Sequence, residues 1–411
     1  MAKKEKYIWD IGSPLPIIED HSLVKLEIIE KYLEAYIRHL TILPVTSSLK
    51  CAIVDGFSGG GLYENISGQE ILGSPLRILD TIERLKKEIA FERENKKFKQ
   101  IDFDIPIYCI EKNVATFNFL QQTLIDRGLN HLAQIVNGEF EKVYSSIIQK
   151  LRDKKYKKAI FLLDQYGYTD ATINTIKSIL CSFPNAEIIL TFACDSLIDY
   201  LSSKNQKILI GLGLDKYDIE HLLDTKQDNS GNRQILQFTL LQIIIGKIGA
   251  CYYTPFFVQG KETHRAYWLL HFSNHPIARN EMVKLHYENH NSFIHYGGEG
   301  LDMFGYSTKD KYTLKPFLFT EKDRLKGLEL IKNQIQNKIK NYDNKTFITL
   351  IKNEINKTPA TIETIYESLK EQLHYGDIEI INPKTSKKIK NPKNIKLDYI
   401  IKDTKQQRFK F

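Results

Sequence analysis

The stretch "KKAIFLLDQYGYTD", residues 157–170, decides the fold of this 411-residue chain. An apolar run from Ala159 to Leu163 stops at Asp164, followed by Gln165, Tyr166 and Gly167. A buried parallel strand ends this way when it delivers a carboxylate and a π-face to the carboxyl edge of an α/β sheet. Three readings are open for such an end: an acceptor site for a planar amine, a retired copy of one, or a plain strand terminus.

Working outward, helical and strand patterns alternate from about residue 22 to 250. "SLVKLEIIEKYLEAYIRHL" carries the i, i+3, i+4 stripe of a helix. "KCAIVDGF", "IPIYCIE", "AQIVNGE", "KAIFLLD" and "AEIILTF" read as five strands, each followed or preceded by a helical segment. That alternation predicts an α/β fold with a parallel, doubly wound sheet and right-handed crossovers. Residues 197–240 break the rhythm with polar, helical sequence and read as an insertion. "LQIIIGKIGACYYTPFFV" is apolar but holds Lys247, two glycines and a proline, so it reads as two strands, not a membrane span. "RAYWLLHFS" completes the expected antiparallel edge.

In doubly wound sheets ligands bind beyond the carboxyl ends of the strands. The first strand ends "VDGFSGGG", presenting Asp55, Phe57, Gly59 and Gly61; glycines there let the backbone turn tightly and approach a ligand. The second ends on Glu111, an acid placed to accept both hydroxyls of a ribose. The third ends at Gly138 and Glu139, beside the expected adenine edge. With Asp164 these form an ordered series along one sheet edge, and no GxxxxGK[ST] phosphate loop interrupts it.

The combination resembles Rossmann-like S-adenosylmethionine-dependent methyltransferases of class I. More narrowly it is similar to the three-Cys-motif partner proteins, through Trp9, the His21/Lys25 pair, "VDGFSGGG", "GSPL" at 73–76, "LLDQYG" and "YWLLHFSNHP" at 267–276. The resemblance covers roughly residues 9–300. It implies S-adenosylmethionine as cofactor, with Asp55, Phe57, Gly59 and Gly61 on its methionine side, Glu111 on the ribose, and Gly138 and Glu139 on the adenine. Asp164 would accept a hydrogen bond from an exocyclic amine, and Tyr166 would stack on the acceptor ring. A partner with a three-cysteine, radical-enzyme-like motif is also implied. Gln165 departs from the pattern, because amine-methylating relatives carry proline there. Glutamine is compatible with an active enzyme or with a lapsed one that serves as a cofactor-binding scaffold.

Charge divides the chain. Residues 321–411 hold 20 Lys and Arg against 12 Asp and Glu, which accounts for the whole net charge of +8. This tail, residues 321–411, reads as three helices followed by a two-stranded hairpin with a lysine-rich turn, a winged-helix pattern set apart from a domain of residues 1–320. The third helix, after "TPA", would be the recognition helix. Lys384, Lys387, Lys388, Lys390 and Lys393 would form a wing for the phosphates of DNA or RNA. Protein docking is the other use of such a module.

Five scattered cysteines without CxxC spacing fit reduced thiols, and no secretory or membrane-spanning segment is legible, which predicts a cytoplasmic protein. Six of the eleven histidines fall between 264 and 295. Because "YWLLHFS" is strand-like, capping, hydrogen-bonded core or substrate-contact roles are expected for them, and no metal site. "GGEG" at 297–300 reads as a loop.

Overall fold

A computed structural model describes residues 7–166, 168–228, 233–259, 266–288, 293–296, 316–317, 320–341, 344–391 and 395–404. Two compact units emerge: residues to Ala250 with Pro255–Glu281, and Cys251–Thr254 with Met282 onward.

The first unit runs α1 (Asp20–Thr41), β1 (Ser48–Lys50), β2 (Ala52–Asp55), β3 (Leu62–Glu64), β4 (Glu70–Leu72), α2 (Ser74–Asn95), β5 (Asp102–Asp104) and β6 (Ile107–Glu111). It continues α3 (Val114–Asp126), β7 (Ala133–Asn137), α4 (Phe140–Asp153), β8 (Lys158–Leu163), α5 (Ile173–Ser182) and β9 (Asn185–Phe192). Helices α6 (Cys194–Tyr200), α7 (Gln206–Leu212), α8 (Lys216–Asp228) and α9 (Arg233–Ile248) precede β10 (Tyr252–Gln259), β11 (Ala266–Ser273) and α10 (Pro276–Glu288). The division between the units falls inside β10 and α10.

All five predicted parallel strands form. The sheet order is β10-β11-β9-β8-β2-β6-β7, with β2 pairing β6 and β8 in parallel and β11 antiparallel to β9. Strand order therefore reverses between β2 and β8, and the crevice at that switch point lies above Asp55 and Asp164. Strands β2 and β8 are buried almost throughout, which is why they read as unbroken apolar runs. Helix α1 buries Leu26, Ile29, Leu33 and Ile37, the stripe its periodicity predicts.

Two expectations change. "LQIIIGKI" is not a strand but the second half of α9, so the helical insertion spans 194–248 instead of 197–240. A short apolar run fits a buried helix as well as a strand, and here Leu236, Leu240, Leu241 and Ile244 are buried at helical spacing. The β3–β4 hairpin and the parallel β1–β5 pair were not anticipated, because three-residue strands carry no periodicity.

Arg93, 3 % exposed, ties the helical layer to the chain after α1. Its guanidinium donates to the carbonyls of Thr41 (2.6 Å), Thr46 (2.7 Å), Pro44 (3.1 Å) and Lys99 (2.5 Å). A buried charge is tolerated because backbone dipoles replace its water.

The second unit holds β12 (Phe293–Tyr296), β13 (Pro316–Phe317), α11 (Glu321–Asn341), β14 (Lys345–Thr346), α12 (Phe347–Glu354), α13 (Ile362–His374), β15 (Ile378–Ile381) and β16 (Ile400–Asp403). The tail sheet has three strands, ordered β14-β16-β15, where two were expected. Ile335, Phe347, Ile365, Leu369 and Ile380 form its core.

Candidate active site

At the carboxyl ends of β2, β6 and β8 lies a cavity of about 240 Å³ whose wall includes Lys25, Phe57, Gly59, Glu111, Asp164 and Gln165. Two larger cavities, of about 340 and 480 Å³, lie elsewhere. The first of these is at the opposite strand edge, where Tyr32, Glu187 and His271 form a buried hydrogen-bond cluster. Volume does not select the site; the ordered strand-end chemistry does.

The glycine turn after β2 is shaped by aromatic cover. Gly59 and Gly61 have φ of +60° and +79°, which L side chains rarely adopt. Trp9 lies across the turn, so close that a Cβ on Gly60 would sit 2.3 Å from its ring, and its Nε1 donates to Leu62 O at 2.6 Å. Tyr63, on the unanticipated β3, packs edge-on against Trp9 with ring centroids 5.2 Å apart. Tyr7, Tyr63 and Tyr267 thus add to the wall. Tyr7 and Tyr63 were not singled out by sequence, because no local pattern marks a side chain brought in from a remote hairpin or terminus.

Glu111 Oε2 accepts from Gly59 N at 3.0 Å and Oε1 from Asn113 N at 2.8 Å, so the second strand's acid braces the first strand's turn. Asp55 is 1 % exposed and does not reach the cavity surface. Its carboxylate accepts from Ser74 Oγ at 2.6 Å and Phe57 N at 3.2 Å. Burial pushes its carboxyl up to about 7, against these hydrogen bonds, and the nearby Asp164 adds to the rise. Ser74, from "GSPL", lines the cavity in its place.

Gly61, Gly138 and Glu139 are not part of the wall. Gly61 packs toward Leu120 and Leu76, Gly138 against Val143, and Glu139 pairs with Lys142 at 2.9 Å. These three strand-end positions serve turns and a helix start in this arrangement.

The third element of the site is the end of β8. Lys25, on α1, donates to both oxygens of Asp164 at 2.6 and 2.9 Å, a bidentate pair with side chains 11 % and 33 % exposed. Gln165 is 2 % exposed, and its Oε1 accepts from Asp170 N (2.9 Å) and Ala171 N (3.0 Å). Tyr166 is 56 % exposed and lines the cavity. Asp164, Gln165 and Tyr166 all line the cavity, with Lys25 paired to Asp164. Gly167 and the side chain of His21 lie outside the described residues.

Histidines follow the capping and core expectation where they are described: His275 Nδ1 accepts from Ile277 N at the start of α10, and His286 Nδ1 contacts Met282 O. His264, His290 and "GGEG" lie outside the described residues, as does the side chain of His295. Among the described residues no group of three or more metal-ligating side chains occurs, and no helix is long and apolar enough to cross a membrane.

In the tail, Lys384, Lys387, Lys388 and Lys390 are on the segment that follows β15, and Lys388 pairs with Glu379. Lys393 lies outside the described residues. Helix α13, the expected recognition helix, carries Glu363, Glu367 and Glu371 at i, i+4, i+8, with Glu363 on Lys284 (2.9 Å) and Glu371 on Lys332 (2.5 Å). An acidic face repels phosphate.

No protein-family profile matches the chain, and no curated protein matches it. Forty-three solved chains share structural similarity. The bifunctional kinase-methyltransferase WbdD is 12 % identical, over 61 % of this chain and 39 % of its own, with a TM-score of 0.30. Human methyltransferase 10 domain containing protein is 11 % identical, over 59 % and 82 %, TM-score 0.26. The hMettl16 catalytic domain, solved with an RNA hairpin, is 8 % identical, over 64 % and 76 %, TM-score 0.25. The fold is defined by its own strand order and not by these likenesses.

Proposed function

We propose that the first unit is an S-adenosylmethionine-dependent methyltransferase that acts on an exocyclic amine of a nucleic-acid base. The observation that carries this is the convergence, in one cavity, of the glycine turn of β2, the acid ending β6 and the Asp-Gln-Tyr end of β8. The strand order, with β11 antiparallel beside β9, agrees with that class of fold. Glu111, which accepts from Gly59 N and Asn113 N, would face the ribose hydroxyls, and Phe57 offers an apolar face; these residues fit the cofactor. When bound, the cofactor would supply an electrophilic methyl on its sulfonium, the sulfur keeping the C–S electron pair.

The chain's own residues position the acceptor. Asp164 takes a hydrogen bond from the amine, which aims the nitrogen lone pair and provides a route for the proton it sheds. A carboxylate has about four lone-pair sites, so Lys25 orients Asp164 without exhausting it. Tyr166 supplies the stacking face.

The basic tail, whose elements run α11-β14-α12-α13-β15-β16, is the proposed contact for DNA or RNA, through the lysines after β15 and not through α13. A partnership with a three-Cys-motif protein rests on the sequence resemblance. Calorimetric titration of S-adenosylmethionine is the test. Micromolar binding, lost in Glu111→Ala and kept in Asp164→Ala, is expected. Absence of binding by folded protein would leave a scaffold.

A further inference from the structure

Gln165 stands where a rigid proline would serve an amine-methylating site, and the structure gives it a specific task. Its carboxamide orientation is determined by the network: Oε1 faces two backbone N–H donors, Asp170 and Ala171, so Nε2 must be the other arm. That Nε2 is buried and has no hydrogen-bond partner among the described residues. Leaving such a donor unpaired is unfavourable, and it sits in a residue of the cavity wall directly after Asp164. A ligand bearing an acceptor atom would satisfy it.

Asp164 and Gln165 both line the cavity, the first with a carboxylate acceptor and the second with an unpaired amide donor. We infer that the pair reads the edge of a base whose exocyclic amine adjoins an unprotonated ring nitrogen, as in adenine or cytosine. Asp164 takes the amine N–H and Gln165 Nε2 donates to the ring nitrogen. A simple alkylamine has no atom for Gln165. A base edge made of two donors would leave Gln165 facing an N–H.

This inference rests on the proposed methyl transfer, and one experiment separates the two. The full-length protein is given S-adenosylmethionine with a radioactive methyl and mixed-sequence DNA or RNA oligonucleotides. Parallel sets replace adenine by 1-deazaadenine and cytosine by 3-deazacytosine, which keep the amine and lose the ring nitrogen. The expected result is about tenfold to a hundredfold preference for a parent base over its deaza form. In Gln165→Leu that preference should collapse toward unity. Gln165→Glu should shift preference toward guanine, whose edge offers two donors. Equal use of parent and deaza bases by the wild type overturns the inference and leaves amine methylation standing, and that comparison needs no folded variant. Undiminished discrimination in Gln165→Leu overturns it too. Silence of the parent oligonucleotides in protein that binds the cofactor removes the methyltransferase reading and the inference with it.

Discussion

Asp55 carries a carboxyl group that the fold encloses, held by hydroxyl and backbone donors and not by a cation among the described residues. Its folded value of about 7 lies above the ordinary 3.8, so the native state binds more protons than the unfolded chain between those values. Stability from this group is full below about pH 4, falls as pH rises toward 7, and is flat beyond. A shift of that size corresponds to about 4 kcal/mol. Asp55→Asn is expected to remove the slope, measured by urea unfolding from about pH 4 to pH 8; an unchanged slope would place the titration elsewhere. Lys25 is the second residue-scale test. Lys25→Met takes the oriented ammonium from Asp164, and methyl transfer is expected to drop at least about tenfold, with partial recovery in Lys25→Arg. Cofactor affinity measured in parallel should change little.

Elements hold the site through two close approaches. Trp9 rests on Gly60 with no room for a methyl, so Gly60→Ala must lift the indole. Overpacking of this kind costs about 1–3 kcal/mol. With only Trp9 and Trp268 in the chain and Trp268 fully buried, a red shift in tryptophan emission reports the displacement. An unshifted spectrum would mean the turn adapts instead. Arg93→Met leaves at least four backbone carbonyls without their donor and should destabilise the first unit by about 3–5 kcal/mol in thermal unfolding.

Across the whole molecule, charge is the separable property. Reversing Lys384, Lys387, Lys388 and Lys390 to Glu should remove most salt-dependent binding to nucleic acid, lowering the slope of log K against log salt by about three. Glu367→Lys on α13 should leave that slope unchanged, since the helix face is not the contact. If instead Glu367→Lys changes the slope and the lysine reversals do not, α13 is the interface after all.

The alternation of apolar runs and helical stripes sufficed to define a doubly wound sheet, because buried parallel strands must be continuously apolar and crossover helices one-sided. The Asp164-Gln165-Tyr166 end, Glu111 and the glycine turn were legible for the same reason: strand ends in such a sheet share one edge. Only the tertiary structure decided which of them line the cavity. Asp55, Gly61, Gly138 and Glu139 stand at the same strand ends and are not part of the cavity wall. Lys25 on Asp164, Trp9 on Gly60 and the unpaired Gln165 amide depend on contacts between distant segments, which no local pattern encodes. The helical identity of "LQIIIGKI" was likewise settled by its burial partners, because an apolar run is satisfied equally by a strand or a helix until the surface it packs on is known.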